Sequence, residues 1–431
     1  MDITRKYFCL CLGLALIASE GMSFSVIAPF FPIVALNKGS SKIWVGLITA
    51  SYDFAALLLV PGITLNITYR YSLFFYCIGY IFGGISMICF GFLQYAPPGL
   101  GMNLSFLFCR LVNGIGAALL WCSAYPFIRG IEISWNFPAL YLIELSYGIG
   151  LALGPLFGIL LFSLTSYSHT MIVIGVLELS LIAIFLSSAP LFFKKHLSDE
   201  NANFEFKELA QLVKCPKFIF VSLPLLAIAC STATFDALLA SYLENYLSLD
   251  LPSGGYIFAL IGAEYFFSNL LFVNFTNVRY QGLFYFLGLL CAGLSMLIFC
   301  LQSYFVSLEN IVFGTIILVL YTFGCSTTTF NAYVVLEKIC TDLGLIQSGS
   351  IKLTIGMWHS LVFSAGRVFG AIYFGGYLNS LLGVYTALFV ESFFLIIIFI
   401  ANFIYLGFFK EFIPGVTEDH SYIPLTNLQL Y

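Results

Sequence analysis

RYSLFFYCIGYIFGGISMICF, residues 70–90, lies without a gap over RYQGLFYFLGLLCAGLSMLIF, residues 279–299, and nine of the 21 positions are identical. Each stretch is a turn followed by a helix of about the 20 apolar residues that a membrane span requires. The shared Arg-Tyr start, two glycines and a Ser-Met pair keep one register. Phe- and Gly-rich helices resemble one another by composition, but a common turn feeding a common span is the mark of duplication. Two copies of this unit so far apart predict a chain built as two similar halves.

The rest of the chain fits that plan. Apolar residues make up 61% of the 431 positions, charged residues 9% and aromatics 18%, outside the balance of a soluble domain. Twelve candidate spans run approximately over 7–35, 43–65, 71–95, 102–128, 136–163, 168–193, 217–248, 253–277, 281–305, 309–337, 347–380 and 384–410. The fold class is thus an all-α membrane protein, twelve transmembrane helices in two pseudo-symmetric six-helix bundles. The first run has no small-residue cleavage site and reads as a retained span rather than a signal peptide. The one long polar break is KKHLSDENANFEFKELAQLVKCPK, from 194 onward. Domains are expected at 1–193 and 217–410, joined by a linker at 194–216 with part of it an amphipathic helix on the headgroups, and followed by a tail at 411–431.

Basic residues set the orientation. An even number of spans places both termini on one side, and that side carries every loop Lys and Arg except Lys38 and Lys42. Both termini are expected in the cytoplasm. The formal charge of −4 does not point to nucleic acid. The twelve cysteines lack metal or redox spacing and read as small core residues. No paired nucleophile and base, metal-ligand cluster or phosphate loop suggests an enzyme, and neither a cofactor nor a metal is expected.

Charges inside the spans are the informative residues. The acids are Glu20, Asp53, Glu144, Glu178, Asp236, Glu264 and Glu391, against Arg110 and Arg367, with titratable His359. An ionised side chain in hydrocarbon costs about 3 kcal/mol on insertion scales, so a carboxyl there is neutralised by a proton or a paired cation. One such acid can be a tolerated hydrogen-bond donor. Seven against two leave several in need of a partner.

Two motifs connect these charges to a known family. FLFCRLVNGIGAALL, 106–120, places Arg110 beside Gly114 and Gly116, and R-x-x-N-G-x-G-A-A resembles the fourth-helix motif of the major facilitator superfamily. Arg110 either holds a packed bundle together or faces a wet cavity. YGIGLALGPLFGILL, 147–161, aligns Gly150, Gly154 and Gly158 on one helix face, with Pro155 to release a carbonyl. Its G-x-x-x-G-P-x-x-G form resembles the antiporter motif of proton-coupled exporters, with Ile159 in place of that pattern's last glycine. GRVFGAIYFGG, 366–376, repeats it weakly. EGMSFSVIAPFFP, 20–32, resembles the first helix of vesicular amine transporters (solute carrier family 18), with Glu20 at the acidic position. FDALLASYLENYLSLDLP, 235–252, resembles their seventh helix, with Asp236 and Glu244 at its acidic positions. Glu144 and the APFFP sequence lean toward the polyamine-transporting branch.

The resemblance implies the major facilitator fold and a substrate site between the halves, near the membrane midplane. It also places spans six and twelve outside the cavity, so Glu178 and Glu391 are expected to be structural. Departures limit it. GITLNITYRYS, 62–72, lacks the Asp and second Gly of the family's loop motif, as does VNFTNVRY in the second half. Tyr52 stands where monoamine members have lysine, and their aspartates in spans ten and eleven fall near Cys325 and Leu361. Monoamines are disfavoured.

A proton and an ammonium compete for one carboxylate, and exchange follows from that competition. A pH unit is worth about 1.4 kcal/mol per proton, so two units give roughly 100-fold accumulation per proton exchanged. The expected activity is proton-coupled antiport of organic cations, polyamines or related amines, into acidic vesicles. Glu20, Asp236 and Glu264 are the candidate cation or proton sites, with Asp53 auxiliary and Arg110 orienting a carboxylate, Glu144 being the one suggested. Arg367 is a further candidate. Asn331 could bond substrate or a neighbouring helix, and His359 could relay protons or be structural. Tyr52, Trp121, Tyr265, Tyr321 and Trp358 are candidate aromatic contacts for a cation. Tyr422-Ile-Pro-Leu425 matches the form read by vesicle-sorting adaptors. Among the sequons at Asn66, Asn103 and Asn274, only Asn103 lies on the non-cytoplasmic side, close to the membrane. Expected partners are lipid, a small organic cation and protons, with the chain a monomer. A plasma-membrane drug exporter, or a transporter-derived sensor that no longer cycles, would share these motifs.

Overall fold

A computed structural model describes residues 3–66, 69–129, 131, 139–188, 206–247, 251–274, 278–305, 311–342 and 349–405. Among them, twelve helices are long and apolar enough to cross a membrane. Helices suit these sequences because every backbone group must be bonded within the segment in hydrocarbon. The first half contains α1 (Ile3–Asn37), α2 (Lys42–Asn66), α3 (Tyr69–Phe92), α4 (Leu100–Arg129), α5 (Ala139–Leu164) and α6 (Tyr167–Ser188). A short α7 (Phe206–Val213) precedes the second half. That half contains α8 (Pro216–Leu247), α9 (Leu251–Asn274), α10 (Val278–Phe305), α11 (Ile311–Asp342) and α12 (Gly349–Phe369). α12 widens into a π-helix over Gly370–Leu378 and is followed by α13 (Asn379–Leu382) and α14 (Val384–Tyr405). Gly39, at φ +84°, turns the chain between α1 and α2. Its left-handed backbone lets Ser40 N bond Ala35 O at 3.0 Å and closes the helix end.

The internal repeat makes matched contacts in the two halves. Tyr76 Oη donates to Gly13 O of α1 at 2.7 Å, and its counterpart Tyr285 donates to Val221 O of α8 at 2.6 Å. A Cβ on Gly79 would stand 2.6 Å from Gly116 O of α4, and one on Gly288 would stand 2.8 Å from Gly324 O of α11. Gly84 lies against Gly175 and Leu179 of α6, as Gly293 lies against Leu395 and Ile396 of α14. Paired small residues bring backbones together where lipid supplies no hydrophobic drive. The equivalence predicts that Tyr76→Phe and Tyr285→Phe each cost about 0.6–1.7 kcal/mol. Thermal unfolding in detergent measures this, and a large loss in only one of the two would contradict the equivalence.

The glycine motifs act the same way. Gly150 and Gly154 of α5 back onto the carbonyls of Ala18 and Met22 in α1, and Gly158 meets Phe30. Gly366 and Gly370 of α12 back onto the carbonyls of Leu226 and Cys230 in α8. Pro155 cannot donate to Leu151 O. That carbonyl faces Gly262 of α9, where the two halves touch. At the end of the bundle carrying the α1–α2 turn, Lys42 Nζ donates to Asn379 Oδ1 at 3.2 Å, tying α2 to α13.

α7 docks on protein: Leu212 is fully buried among α8, α11 and α12 residues, and Leu209 packs beside Val60 and Met357. Asn103 is 5% exposed and its Oδ1 accepts from Ser40 Oγ at 2.6 Å, so its amide is turned away from solvent. Glu178 and Glu391 are both fully buried inside their halves. Residues 189–205 and the tail from 406, with Tyr422, lie outside the described residues.

Candidate functional site

Arg367 stands where the halves meet. From α12, its Nε donates to Asp53 Oδ2 of α2 at 2.9 Å and its Nη2 to Asp236 Oδ2 of α8 at 2.8 Å. Nη1 donates to Thr232 Oγ1 at 3.1 Å. Asp53 belongs to the first half and Arg367 and Asp236 to the second, so the triad is a charged tie across the interface. A guanidinium suits this task because its donors point in fixed, separate directions. The two aspartates differ in access, with side chains 7% exposed for Asp53 and 25% for Asp236.

Arg110 has a different setting. Its guanidinium lies 4.8 Å from the Tyr52 ring centroid, and its Nη1 donates to Asn113 Oδ1 at 2.9 Å. Tyr52 Oη in turn donates to Glu20 Oε1 at 3.0 Å. Gly114 makes this possible, since a Cβ there would overlap the Tyr52 carbonyl and push α2 from α4. Gly116 serves the α3–α4 contact instead. The Phe24 ring lies 5.9 Å from Arg110 Cζ and 5.1 Å from Arg367 Cζ. One aromatic face thereby stands between the two buried cations, each favoured by the ring quadrupole.

Glu178 of α6 completes the group. A methyl at Gly83 would lie 3.6 Å from an oxygen of Glu178 and 3.6 Å from an oxygen of Glu20. Glu20, Glu178, Asp53 and Asp236 therefore gather around two arginines. Charges removed from water must be compensated locally, so this group is balanced only when two further positive charges, protons or cations, join it.

Other assignments part from this centre. Arg110 does not pair with Glu144, because the α4 side chain turns to Asn113 and Tyr52 while Glu144 Oε2 accepts from Tyr265 Oη of α9 at 2.9 Å. That bond is another polar link between the halves. Glu264 is bonded within α9 by Ser268 Oγ and is not part of the triad. Asn331 Nδ2 bonds Thr327 O of its own helix at 2.7 Å. His359 stacks on Phe363, whose ring lies 5.9 Å from Arg367, so the three share one face of α12. Trp121 packs on Tyr147, Tyr321 bonds Ser231 Oγ and stacks on Phe235, and Trp358 Nε1 donates to Ser222 Oγ. These three rings meet other side chains of the bundle, while Tyr52 and Tyr265 meet carboxylates. Sequence reading missed Phe24, Asn113, Thr232 and the inward aim of Glu178. Phe24 follows Glu20 by four residues and Asn113 follows Arg110 by three, spacings that share a helix face.

Comparison with known proteins points the same way. A family model described as Major Facilitator Superfamily matches residues 13–340. The Rattus norvegicus protein named MFS-type transporter SLC18B1 is 25% identical over 252 residues, 58% of this chain and 53% of that protein. Its Homo sapiens counterpart is 24% identical over 283 residues, 64% and 60% of the two chains. The match thus spans between half and two thirds of these relatives. Among solved structures, a bacterial homologue of the human lysosomal transporter Spinster, inward-facing and unoccupied, has a TM-score of 0.70 at 14% identity, covering 94% of this chain and 98% of that one. The nucleoside transporter NupG has a TM-score of 0.67 at 15% identity, covering 94% and 100%. At these identities the likeness to the solved structures is one of fold.

Proposed function

Because this chain belongs to the Major Facilitator Superfamily and is a multi-pass membrane transporter, not an enzyme, we propose that it exchanges organic cations, polyamines or related amines, for protons by alternating access. The observation that carries this reading is the Asp53–Arg367–Asp236 triad. Two carboxylates share one guanidinium, so the triad accepts one more positive charge. Asp236, the more exposed acid, is the one an incoming cation reaches first. An ammonium or a proton on Asp236 weakens its bond to Arg367 and loosens the tie between halves. The two cannot occupy the carboxylate together, and each therefore displaces the other. Phe24 adds a ring face worth about 1 kcal/mol or more to a desolvated cation. A further carboxyl at Glu144 offers a spaced negative group for a substrate with several amines.

The family resemblance of EGMSFSVIAPFFP supports amines over nucleosides or sugars. The excess of loop Lys and Arg on one side supports cytoplasmic termini. Together with Tyr422 it supports an acidic vesicle or endolysosomal membrane, with the chain acting as a monomer. Proteoliposomes with an acidic interior test the reading using labelled spermine, serotonin and a quaternary dye. Spermine is expected to accumulate, with Asp236→Asn lowering the level at least tenfold. Accumulation of serotonin alone would replace polyamines by monoamines. Binding without movement of any probe would favour a sensor that does not cycle.

A further inference from the structure

The Glu20–Glu178 pair shares none of the triad's hydrogen bonds and is buried wholly within the first half. Glu178 is fully buried and Glu20 is 2% exposed, so neither carboxyl meets bulk water. The point 3.6 Å from both carboxyls is also 3.9 Å from Asn113 Nδ2. Asn113 is 2% exposed and its Nδ2 is unpartnered, while Ser23 of α1, at 1% exposure, is the hydroxyl beside Glu178. Two acids and an unpartnered amide are thus aimed at one place among packed helices. Leaving such groups unsatisfied costs about 1–3 kcal/mol each, so their arrangement calls for an occupant.

The second half makes the contrast. Gly150 and Gly154 meet Ala18 and Met22, as Gly366 and Gly370 meet Leu226 and Cys230, so Glu20 corresponds to Ile228. Glu391 therefore has no acid opposite it, and its Oε1 accepts from Thr234 Oγ1 at 2.7 Å. Glu178 instead faces a second acid, Glu20, across the space beside Gly83.

We propose that Glu178 and Glu20 together form a proton-binding site within the first half, distinct from the Asp53–Arg367–Asp236 triad, and that Glu178 is the residue that couples proton movement to transport. The coupling rests on the exchange reading above; the proton site does not. Two facing carboxylates in hydrocarbon cannot both stay ionised. One proton from water on the acidic side converts a carboxylate to a carboxylic acid, whose O–H donates to the other carboxylate, and it leaves as the same proton on the other side. The amide donor of Asn113 favours an oxygen lone pair over a metal cation. The other titratable or charged groups facing the pair among the described residues are Tyr52 of α2, Tyr76 and Tyr80 of α3, Arg110 of α4 and Tyr147 of α5. Tyr52 already donates to Glu20 Oε1 at 3.0 Å, so Glu20 is the acceptor of the pair. That leaves Glu178 to carry the proton.

Infrared difference spectra of purified protein in lipid, taken across a pH step without substrate, test the site directly. A carboxylic-acid C=O band that shifts in D2O is expected in the wild type, absent from Glu178→Gln and restored in Glu178→Asp. Thermal unfolding confirms that each variant is folded. An unchanged band in folded Glu178→Gln would overturn the site. In proteoliposomes with spermine, the pH gradient at which net flux vanishes is expected to shift by the loss of one proton per cycle in Glu178→Gln; an unshifted reversal point would overturn the coupling role. If the band is lost but no amine moves in the wild type, the proton site stands and the exchange reading falls.

Discussion

Arg367→Gln is expected to abolish spermine accumulation and to destabilise the protein by about 3–5 kcal/mol, the usual result of removing one partner from a buried ion pair. Asp53 and Asp236 would face each other across the interface with nothing between them. Arg367→Lys is expected to fail in transport as well, since one ammonium cannot reproduce donors that reach Asp53 through Nε and Asp236 through Nη2. Asp53→Asn combined with Arg367→Gln should recover part of the stability without activity, because it removes the more buried of the two stranded charges while the tie between halves stays lost. Thermal unfolding and accumulation in proteoliposomes, measured on the same preparations, decide the matter. Wild-type melting and uptake in Arg367→Gln would remove the triad from the mechanism.

Gly150→Leu and its counterpart Gly370→Leu are expected to leave little folded protein. Each glycine carries α5 or α12 so close to α1 or α8 that a Cβ would overlap the carbonyl of Ala18 or Cys230. The obstacle is backbone in a packed bundle, so relief requires moving a whole helix, and the cost exceeds the roughly 1–3 kcal/mol of ordinary overpacking. Gly62→Ala is the control, because a Cβ there meets nothing within 4 Å. Size-exclusion profiles and melting temperatures read the difference. A well-behaved Gly150→Leu protein would mean that α1 and α5 do not pack as described.

Much of the fold was legible because the bilayer imposes simple requirements. Apolar length reveals a span, and the span count was readable without any contact. The repeat at 70–90 and 279–299 announced two halves, and its shared Tyr and Gly positions make the same bonds in each. Site pairings were not legible to the same degree. Arg110 was matched with Glu144 on adjacency of helices, yet the arginine turns to Asn113 and Tyr52 while Glu144 reaches Tyr265. Glu178 was set aside by its place in span six, yet it points at Glu20.

The sequence by itself determined which residues leave water, how many helices carry them, which glycines must sit at close crossings and that the buried acids outnumber the bases. Only the tertiary structure decided which acid meets which arginine, that Asp53 and Asp236 share Arg367, and that Phe24 stands between the cations. The physical reason is the solvent. In water, an apolar stripe along a helix reveals its inner face; in lipid the helices are apolar all round, so the direction of a buried charge is set by the neighbouring helices against which it packs.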